Sequence, residues 1–375
     1  MFNPHKTILA DLIHFSASKR EAEDRMAELE ELVRTYGGAV VVKSIQRKEK
    51  PDGRTFIGKG KVDEILVMAK ELDATLLVVN HELKPSQIFH LEEELKPAKM
   101  RVWDRTDLIL NIFEKHAKTT EAKLEIELAR IRHMGPRIYD MGEQLGRQRG
   151  GTGTRGGSGE GNTEAMKRHL KEQERAILKK LETYQGVRDR QRERRDKMRQ
   201  RTVALVGYTN AGKTSLLNTL TNRKELAANV LFATLDTRIG TMFLPALQSD
   251  ATSENAYDAG TALLSDTIGF IQGLPPELLA AFRSTLSEAL SADVLLHVID
   301  AADDKREEKI AIVEDILKKL GVTDTPIIRV FNKIDVVPQG FAHLDASAVA
   351  VSAATGEGLE HLRDAIAHIF SPRKK

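Results

Sequence analysis

The chain has 375 residues, 41% hydrophobic and 30% charged with a net charge of +2, and no run of roughly 18 apolar residues that could span a membrane. It has no cysteine, its histidines are scattered and its amino terminus lacks an apolar signal core, which excludes disulfides and thiolate metal sites and argues against secretion. We therefore expect a cytoplasmic protein of two or three folded domains.

Residues 1–117 alternate short β-rich runs with helical patterns. Ala39–Val42 and Thr75–Val79 have the continuous apolar character of buried strands, whereas Ser18–Tyr36 and Lys61–Leu72 have the period of amphipathic helices. Strands that alternate with helices predict a small α/β domain with a largely parallel sheet.

Residues 118–200 have a different, basic character. Between Lys118 and Arg201 there are 22 Lys or Arg residues against 13 Asp or Glu, a local balance of +9, so the rest of the chain carries −7. An apolar stripe at Leu124, Leu128 and Ile131 predicts one helix, and a similar stripe predicts a second over Thr163–Gln200. A basic segment between two acidic ones predicts contact with a polyanion.

The two predicted helices are separated by Gly142–Gly161, which contains nine glycines in twenty residues. The simplest arrangement is an antiparallel helical hairpin with a long basic tip. From composition alone the tip is either a loop that contacts RNA or a disordered linker. The arginine run Arg188–Arg201 is likewise either an RNA contact or an ordinary solvated helix face, because acidic residues interleave with it.

Residues 201–375 return to an alternating pattern. The predicted elements are strands Thr202–Val206, Ala262–Ser265, Val294–Ile299 and Ile327–Phe331 and helices from Gly212, over Pro276–Leu290 and over Leu359–Phe370. This is a doubly wound α/β pattern with a mostly parallel sheet. The polar stretch Ala246–Gly260 is expected to be a surface loop joining two strands.

A glycine-rich segment follows the first strand of this region and opens a helix. It reads Gly207-Tyr208-Thr209-Asn210-Ala211-Gly212-Lys213-Thr214. This pattern is that of a phosphate-binding P-loop, because its glycines let backbone N–H groups wrap phosphates at a helix amino terminus. We expect catalytic Lys213 to neutralise the β- and γ-phosphates, Thr214 to bind Mg²⁺, and Ser215 to complete the nucleotide-binding set.

A second motif, Asp266-Thr267-Ile268-Gly269, follows another apolar strand. Asp266 is placed to hold Mg²⁺ through a water molecule, and the Gly269 N–H, a further catalytic group, is placed to meet the γ-phosphate. Alone, this short pattern is common and mostly structural. Its weight comes from its order and distance after the P-loop.

Two later motifs predict which nucleotide base the site binds. Asn332-Lys333-Ile334-Asp335 ends a strand, and Asp335 can accept hydrogen bonds from guanine N1–H and the 2-amino group, which adenine lacks. Ser352-Ala353-Ala354 follows a further short strand, and the Ala353 N–H is placed to meet guanine O6. The sequence therefore predicts a guanine nucleotide, GTP or GDP.

Three further positions bear on catalysis. Thr234, beside Phe232 in the loop after the first helix, is our candidate to complete magnesium coordination, with Thr237 as the alternative. Asn210 is a candidate ligand for K⁺, the alternative being an asparagine that only fixes the loop. Phe270 occupies the position where many GTPases have a water-orienting glutamine, so we expect slow intrinsic hydrolysis.

These motifs and their flanks resemble the HflX family of ribosome-associated GTPases over nearly the whole chain. The resemblance rests on Val206–Thr214, Leu231–Asp236, Asp266–Ile271, Ile57–Lys61, Val102–Thr106 and Gly150–Gly156. It implies an amino-terminal α/β domain, a helical hairpin and a P-loop GTPase domain. One departure is the run Gly156–Glu164, where the family usually has Gly-Pro-Gly-Glu-Thr-Gln-Leu-Glu.

The resemblance also implies partners and a task. We expect a monomer that binds the large ribosomal subunit and ribosomal RNA and splits stalled or idle ribosomes. The alternative is a nucleotide-switched RNA-binding or ribosome-assembly factor with negligible turnover.

Overall fold

The computed structural model describes residues 5–148, 158–198, 200–221, 238–245, 260–272, 278, 291–337 and 348–371. The chain forms two compact units, the first made of Met1–Lys115 with Lys123–Glu182 and the second of His116–Ala122 with Thr183–Lys375. Among the helices in these described ranges, none is long and apolar enough to cross a membrane.

The first unit is built on a four-stranded parallel sheet with strand order β2-β1-β3-β4. The strands are β1 (Lys6–Ile13), β2 (Ala39–Arg47), β3 (Leu76–Val79) and β4 (Arg101–Asp104). The two predicted strands are thus confirmed as strands, β2 and β3, but only β3 is buried, since Val41 is exposed and Ala39, Val40 and Val42 are half-buried. The pattern did not reveal β1, because the buried polar residues Thr7 and Asp11 interrupt its apolar run.

Four helices accompany this sheet: α1 (Lys19–Tyr36), α2 (Lys59–Leu72), α3 (Pro85–Leu95) and α4 (Arg105–His116). The prediction for α1 is confirmed at both ends. The Ser18 hydroxyl accepts the Glu21 N–H at 3.0 Å, which satisfies a donor of the first turn, and Gly37 ends the helix at φ +94°. One face of the sheet shares with α2 and α3 a core that includes Ile8, Leu77 and Leu91.

Two long helices follow, α5 (Thr120–Gln148) and α6 (Ser158–Lys197). Leu124 and Leu128 pack against Ile177, with Ile131 and Leu181 at the margin of the cluster. Glu121 pairs with Arg188 and Arg132 pairs with Glu174, so residue numbers rise along α5 as they fall along α6 and the packed stretches are antiparallel, as predicted.

The helices extend further into the glycine-rich stretch than its composition suggested. The predicted tip began at Gly142 and ended at Gly161, whereas α5 continues to Gln148 and α6 starts at Ser158. An existing helix gains one backbone hydrogen bond for each residue added, which offsets the cost of about 1 kcal/mol for a helical glycine. The remainder of the predicted tip, 149–157, lies outside the described residues.

The second unit contains a six-stranded sheet with strand order β10-β9-β8-β5-β7-β6. Its strands are β5 (Arg201–Gly207), β6 (Arg238–Phe243), β7 (Thr261–Asp266), β8 (Val294–Asp300), β9 (Ile327–Asn332) and β10 (Ala348–Ala350). Only β6 is antiparallel to its neighbour. Its helices include α7 (Lys213–Thr221), α8 (Arg306–Lys319) and α9 (Leu359–Phe370).

This is the predicted doubly wound, mostly parallel α/β fold of a P-loop GTPase domain. Of the predicted helix Pro276–Leu290, all but Leu278 lies outside the described residues, as does the predicted loop from 246 to 259. Because parallel strands end at the same edge, the ends of β5, β7 and β9 and the segment after β10 meet there. The described motif residues lie at these strand ends or directly after them.

The buried core of the first unit gives a stability prediction. Leu77 on β3 is fully buried, so Leu77→Ala is expected to destabilise this unit by about 2–5 kcal/mol through lost burial and the cavity left behind. Trp103 is the only tryptophan of the chain and pairs with Val78 across β3 and β4, so its fluorescence in a urea titration reports this unit. The exposed Leu72, changed to alanine, is the matched control with an expected effect below about 0.5 kcal/mol. Equal losses in the two variants would contradict the core assignment.

Candidate nucleotide-binding site

The P-loop connects β5 to α7, and neither of its two glycines has room for a side chain. Gly207 has φ +154°, and a Cβ there would lie 2.3 Å from the carbonyl oxygen of Val298 on the neighbouring strand. Gly212 has φ +89°, and its Cβ would lie 2.3 Å from Nδ2 of Asn332. Both distances are far below van der Waals contact, so the loop packs directly on β8 and on the end of β9 only with glycine at these positions.

Lys213 begins α7 and turns its ammonium group back into the loop. Its Nζ donates to the carbonyl oxygens of Gly207 at 3.1 Å and Tyr208 at 2.8 Å. Burial lowers the pKa of Lys213 to about 8, while the nearby Asp266 carboxylate acts to raise it. The loop therefore holds a cation in a poorly solvated position, where an anionic phosphate would interact strongly with it.

Thr214 and Asp266 are brought together from different elements. The Thr214 hydroxyl donates to Asp266 Oδ2 at 2.7 Å, and Asp266 is completely buried at the end of β7. One residue on, the Thr267 hydroxyl donates to the carbonyl oxygen of Leu205 and ties this segment to β5. A hydroxyl and a carboxylate in contact are hard oxygen ligands of the kind that Mg²⁺ prefers, so the residues present fit the predicted ion.

The segment after Asp266 is hydrogen-bonded to the P-loop. The Phe270 N–H donates to the Gly207 carbonyl at 3.1 Å, and the Thr209 N–H donates to the Phe270 carbonyl at 2.8 Å. The Phe270 side chain is buried, with 2% of its surface exposed. A Cβ on Gly269 would lie 3.0 Å from Lys213 Nζ, so Gly269 lies directly beside the lysine.

Asn332 joins the P-loop to the segment that follows β10. Its Nδ2 donates to the carbonyl oxygen of Ala211 at 2.9 Å, and its Oδ1 accepts the Ala353 N–H at 3.0 Å. The side chain is buried, so the hydrogen bond to Ala211 is shielded from water and the one from Ala353 is partly shielded. One amide group thus fixes the predicted phosphate-binding and base-recognition segments relative to each other.

The predicted base-recognition residues also contact one another. The Ser352 hydroxyl donates to Asp335 Oδ1 at 2.6 Å and accepts the Thr355 N–H at 3.1 Å. Lys333 has φ +66°, and its Nζ lies 2.6 Å from Asp300 Oδ2 at the end of β8. These contacts hold Asp335 and Lys333 in defined orientations.

The remaining predicted site residues lie partly inside and partly outside the described part of the chain. Ser215 lies half-buried in the first turn of α7, Asn210 is exposed at φ +63°, and Ala354 is exposed. Phe232, Thr234 and the alternative Thr237 lie outside the described residues. The role of Asn210 as a ligand for K⁺ and that of Thr234 as a ligand for Mg²⁺ remain predictions.

Two contacting groups of the site were missed by motif reasoning. Asp300, the partner of Lys333, ends the strand Val294–Asp300, whose other residues are apolar except His297. A carboxylate at the carboxyl end of a central strand was the available signal. The Tyr208 hydroxyl, which accepts the Gln272 N–H at 2.8 Å, occupies a variable position of the P-loop pattern. Nothing in the pattern indicates that contact.

Comparison with protein-family models assigns three consecutive regions. Residues 23–114 match "GTP-binding GTPase N-terminal", 116–195 match "GTP-binding GTPase Middle Region", and 202–333 match "50S ribosome-binding GTPase". Among solved structures, the GDP complex of a protein called SsGBP is 26% identical, with a TM-score of 0.53, and the match covers 97% of this chain and 98% of that one.

Curated proteins share higher sequence identity with this chain than that solved structure does. The GTPase HflX of Caldanaerobacter subterraneus subsp. tengcongensis is 41% identical over 352 residues, covering 93% of this chain and 78% of that protein. The GTPase HflX of Escherichia coli K12 is 37% identical over 368 residues, covering 96% of this chain and 83% of that protein. The matches extend well beyond the P-loop domain, and the chain therefore belongs to the HflX family of GTPases.

Proposed function

We propose that this chain binds GTP and GDP with Mg²⁺, hydrolyses GTP slowly on its own, and couples hydrolysis to binding of the large ribosomal subunit and splitting of stalled or idle ribosomes. The family supports this assignment, since the relatives are named GTPases and the model matched at 202–333 is described as a 50S ribosome-binding GTPase.

The observation that carries the nucleotide part is the double hydrogen bond of Asn332. It ties Ala211 of the P-loop to Ala353 beside the base-recognition residues. A nucleotide has its phosphates and its base at opposite ends, so a site for it needs both segments at a fixed separation. The Asn332 amide supplies that constraint before any ligand arrives.

Phosphate chemistry would use Lys213, Thr214, Asp266 and Gly269. Lys213 neutralises charge on the β- and γ-phosphates, and the Gly269 N–H beside it donates to the γ-phosphate. Thr214 would bind Mg²⁺ directly and Asp266 through a water molecule. The ion would draw charge from the phosphate oxygens during transfer. Thr234 remains our candidate for the last magnesium ligand and Asn210 for a K⁺ ligand.

Slow intrinsic hydrolysis follows from Phe270. Its phenyl ring is buried and has no group that accepts a proton or holds a water molecule by a hydrogen bond. Phosphate-binding groups are present around it, but a side chain that guides the attacking water is not supplied at this position. We infer that ordering of the loops on the large subunit supplies the missing part.

Ribosome contact would involve the basic end of α6. Arg190, Arg192 and Arg194 are exposed there, whereas Arg188 forms an ion pair with Glu121. Exposed guanidinium groups displace counterions from RNA phosphates on binding, which favours association and makes it sensitive to salt. A solvated helix face would show the same exposure, and the charge-neutralisation experiment below distinguishes the two interpretations.

Guanine selection is tested at Asp335. Asp335→Asn replaces one carboxylate oxygen, an acceptor, with an amide NH₂ group, a donor. We therefore expect GTP affinity to fall at least about tenfold and preference to shift toward xanthosine triphosphate, whose 2-oxo group accepts from an amide. Titration calorimetry with both nucleotides measures the change. Asp315→Asn, an exposed carboxylate on α8, is the matched control. Unchanged GTP affinity in the Asp335 variant would show that the base pocket lies elsewhere.

The lowered pKa of Lys213 predicts proton uptake on nucleotide binding. Without phosphate its pKa is about 8, and a bound triphosphate favours the charged form and raises it. GTP binding at pH 8 should therefore take up about half a proton, and more at pH 9, so affinity falls as pH rises above 8. Calorimetry in two buffers with different ionisation enthalpies measures this. Proton release, or no uptake at either pH, would contradict the buried position of the ammonium group.

Coupling to the ribosome is tested by turnover. We expect purified large subunits to raise multiple-turnover phosphate release at least about tenfold, by ordering the loops around Gly269. Replacing Arg190, Arg192 and Arg194 with glutamine should reduce this stimulation while leaving basal hydrolysis unchanged.

The matched control for that experiment removes the same charge elsewhere. Lys70, Lys99 and Lys318 are exposed on other elements, and their replacement by glutamine should leave the stimulation intact. Stimulation that falls equally in both triple variants would indicate a general charge effect. A parent protein that already hydrolyses GTP at the stimulated rate, without response to subunits, would refute the ribosomal coupling and favour another task for the GTP cycle.

A further inference from the structure

Tyr208, the second residue of the P-loop, contacts a segment that the P-loop motif does not include. Its hydroxyl oxygen accepts the backbone N–H of Gln272 at 2.8 Å, and the side chain is buried, with 9% of the residue exposed. The ammonium group of Lys309 on α8 lies 4.8 Å from the centroid of the tyrosine ring and forms an ion pair with Asp303. The ring is therefore held between the P-loop and α8.

Three hydrogen bonds tie residues 270–272 to the P-loop. Two of them join backbone groups of Phe270 to backbone groups of Gly207 and Thr209, so they need no side-chain acceptor. The third, from Gln272 to the Tyr208 hydroxyl, requires a side-chain acceptor at this distance from the loop. Tyrosine combines that acceptor with a ring large enough to be fixed by its neighbours.

The residue just before the tied segment is Gly269, which lies beside the reacting end of the phosphate site. A Cβ on Gly269 would lie 2.8 Å from Thr209 Cγ2 and 3.0 Å from Lys213 Nζ, so little space separates it from the loop. Any shift of the residues that follow would move the Gly269 N–H relative to Lys213. The placement of that donor therefore depends on the anchors at 270 and 272.

We propose that Tyr208 is a positioning residue for GTP hydrolysis, which acts through Gln272 to hold the Gly269 N–H beside Lys213. This inference rests on the proposed function of the site. Phe270 offers no hydrogen-bonding side chain to orient this segment, so its geometry depends on the anchors that the P-loop provides. Holding the donor in place before the reaction removes the entropic cost of ordering it in the transition state.

Lys309, whose ammonium group lies over the Tyr208 ring, has a secondary role. Lys309 restrains the tyrosine ring by its charge over the ring face, while Asp303 restrains Lys309. Removal of this cation leaves the hydroxyl in reach of Gln272 but less firmly held. A Lys309→Met variant should therefore show a smaller effect of the same kind as loss of the hydroxyl.

The test removes only the hydroxyl. Tyr208→Phe keeps the ring and should lower the single-turnover rate of hydrolysis at saturating GTP about fivefold, the size expected for one lost hydrogen bond of ordinary strength. GTP and GDP affinities, measured by titration calorimetry, should stay within about twofold, because the phosphate and base contacts are retained. Lys309→Met should lower the rate about twofold.

Tyr36→Phe, which removes a hydroxyl on α1, is the matched control and should change neither rate nor affinity. An unchanged or faster rate in Tyr208→Phe would overturn the proposal, as would an affinity loss that matches the rate loss, since that would mean Tyr208 only shapes the P-loop. If the parent protein hydrolyses GTP and Tyr208→Phe does so equally well, the inference alone fails. A parent protein that binds GTP without turnover would refute the proposed function as well.

Discussion

The amide of Asn332 is the contact on which the arrangement of the nucleotide site depends. Its nitrogen and oxygen are both used, one toward Ala211 and the other toward Ala353, and the Asn332 side chain itself is buried. A side chain with only a donor or only an acceptor at this position would leave one segment untied. Because an unpaired buried polar group costs about 1–3 kcal/mol, the structure is strongly selective for this amide.

Around that anchor, the site keeps charged groups away from water. Lys213 and Asp266 are both buried, and each has hydrogen-bond partners from the loop or from Thr214. Burial of charge is unfavourable unless it is compensated, so the empty site holds these groups at some cost to stability. That cost would be reversed if an anion and a cation entered together, which would be a physical reason for the proposed nucleotide and divalent ion to bind as one complex.

Helix-capping residues and apolar runs in the sequence correctly predicted the helix ends and strands that depend on neighbouring residues alone. The ends of α1 followed from Ser18 and Gly37, and the strands that lead into the motifs followed from apolar runs. The extent of α5 did not follow, because helix propagation from a packed stem outweighed the glycines counted as breakers. The contact between Tyr208 and Gln272 joins residues 64 apart in the sequence, and no periodicity or motif spacing carries that kind of information.

In the P-loop, the backbone at Gly207 lies so close to the carbonyl oxygen of Val298 that it limits which mutations this position tolerates. With 2.3 Å between a Cβ at position 207 and the oxygen of Val298, alanine is already too large, and the strand cannot retreat without opening the sheet. The four glycine codons differ only in their last base. At this codon, therefore, synonymous change is the sole mutation that leaves the loop intact. Neighbouring positions can change during evolution, but position 207 must stay glycine.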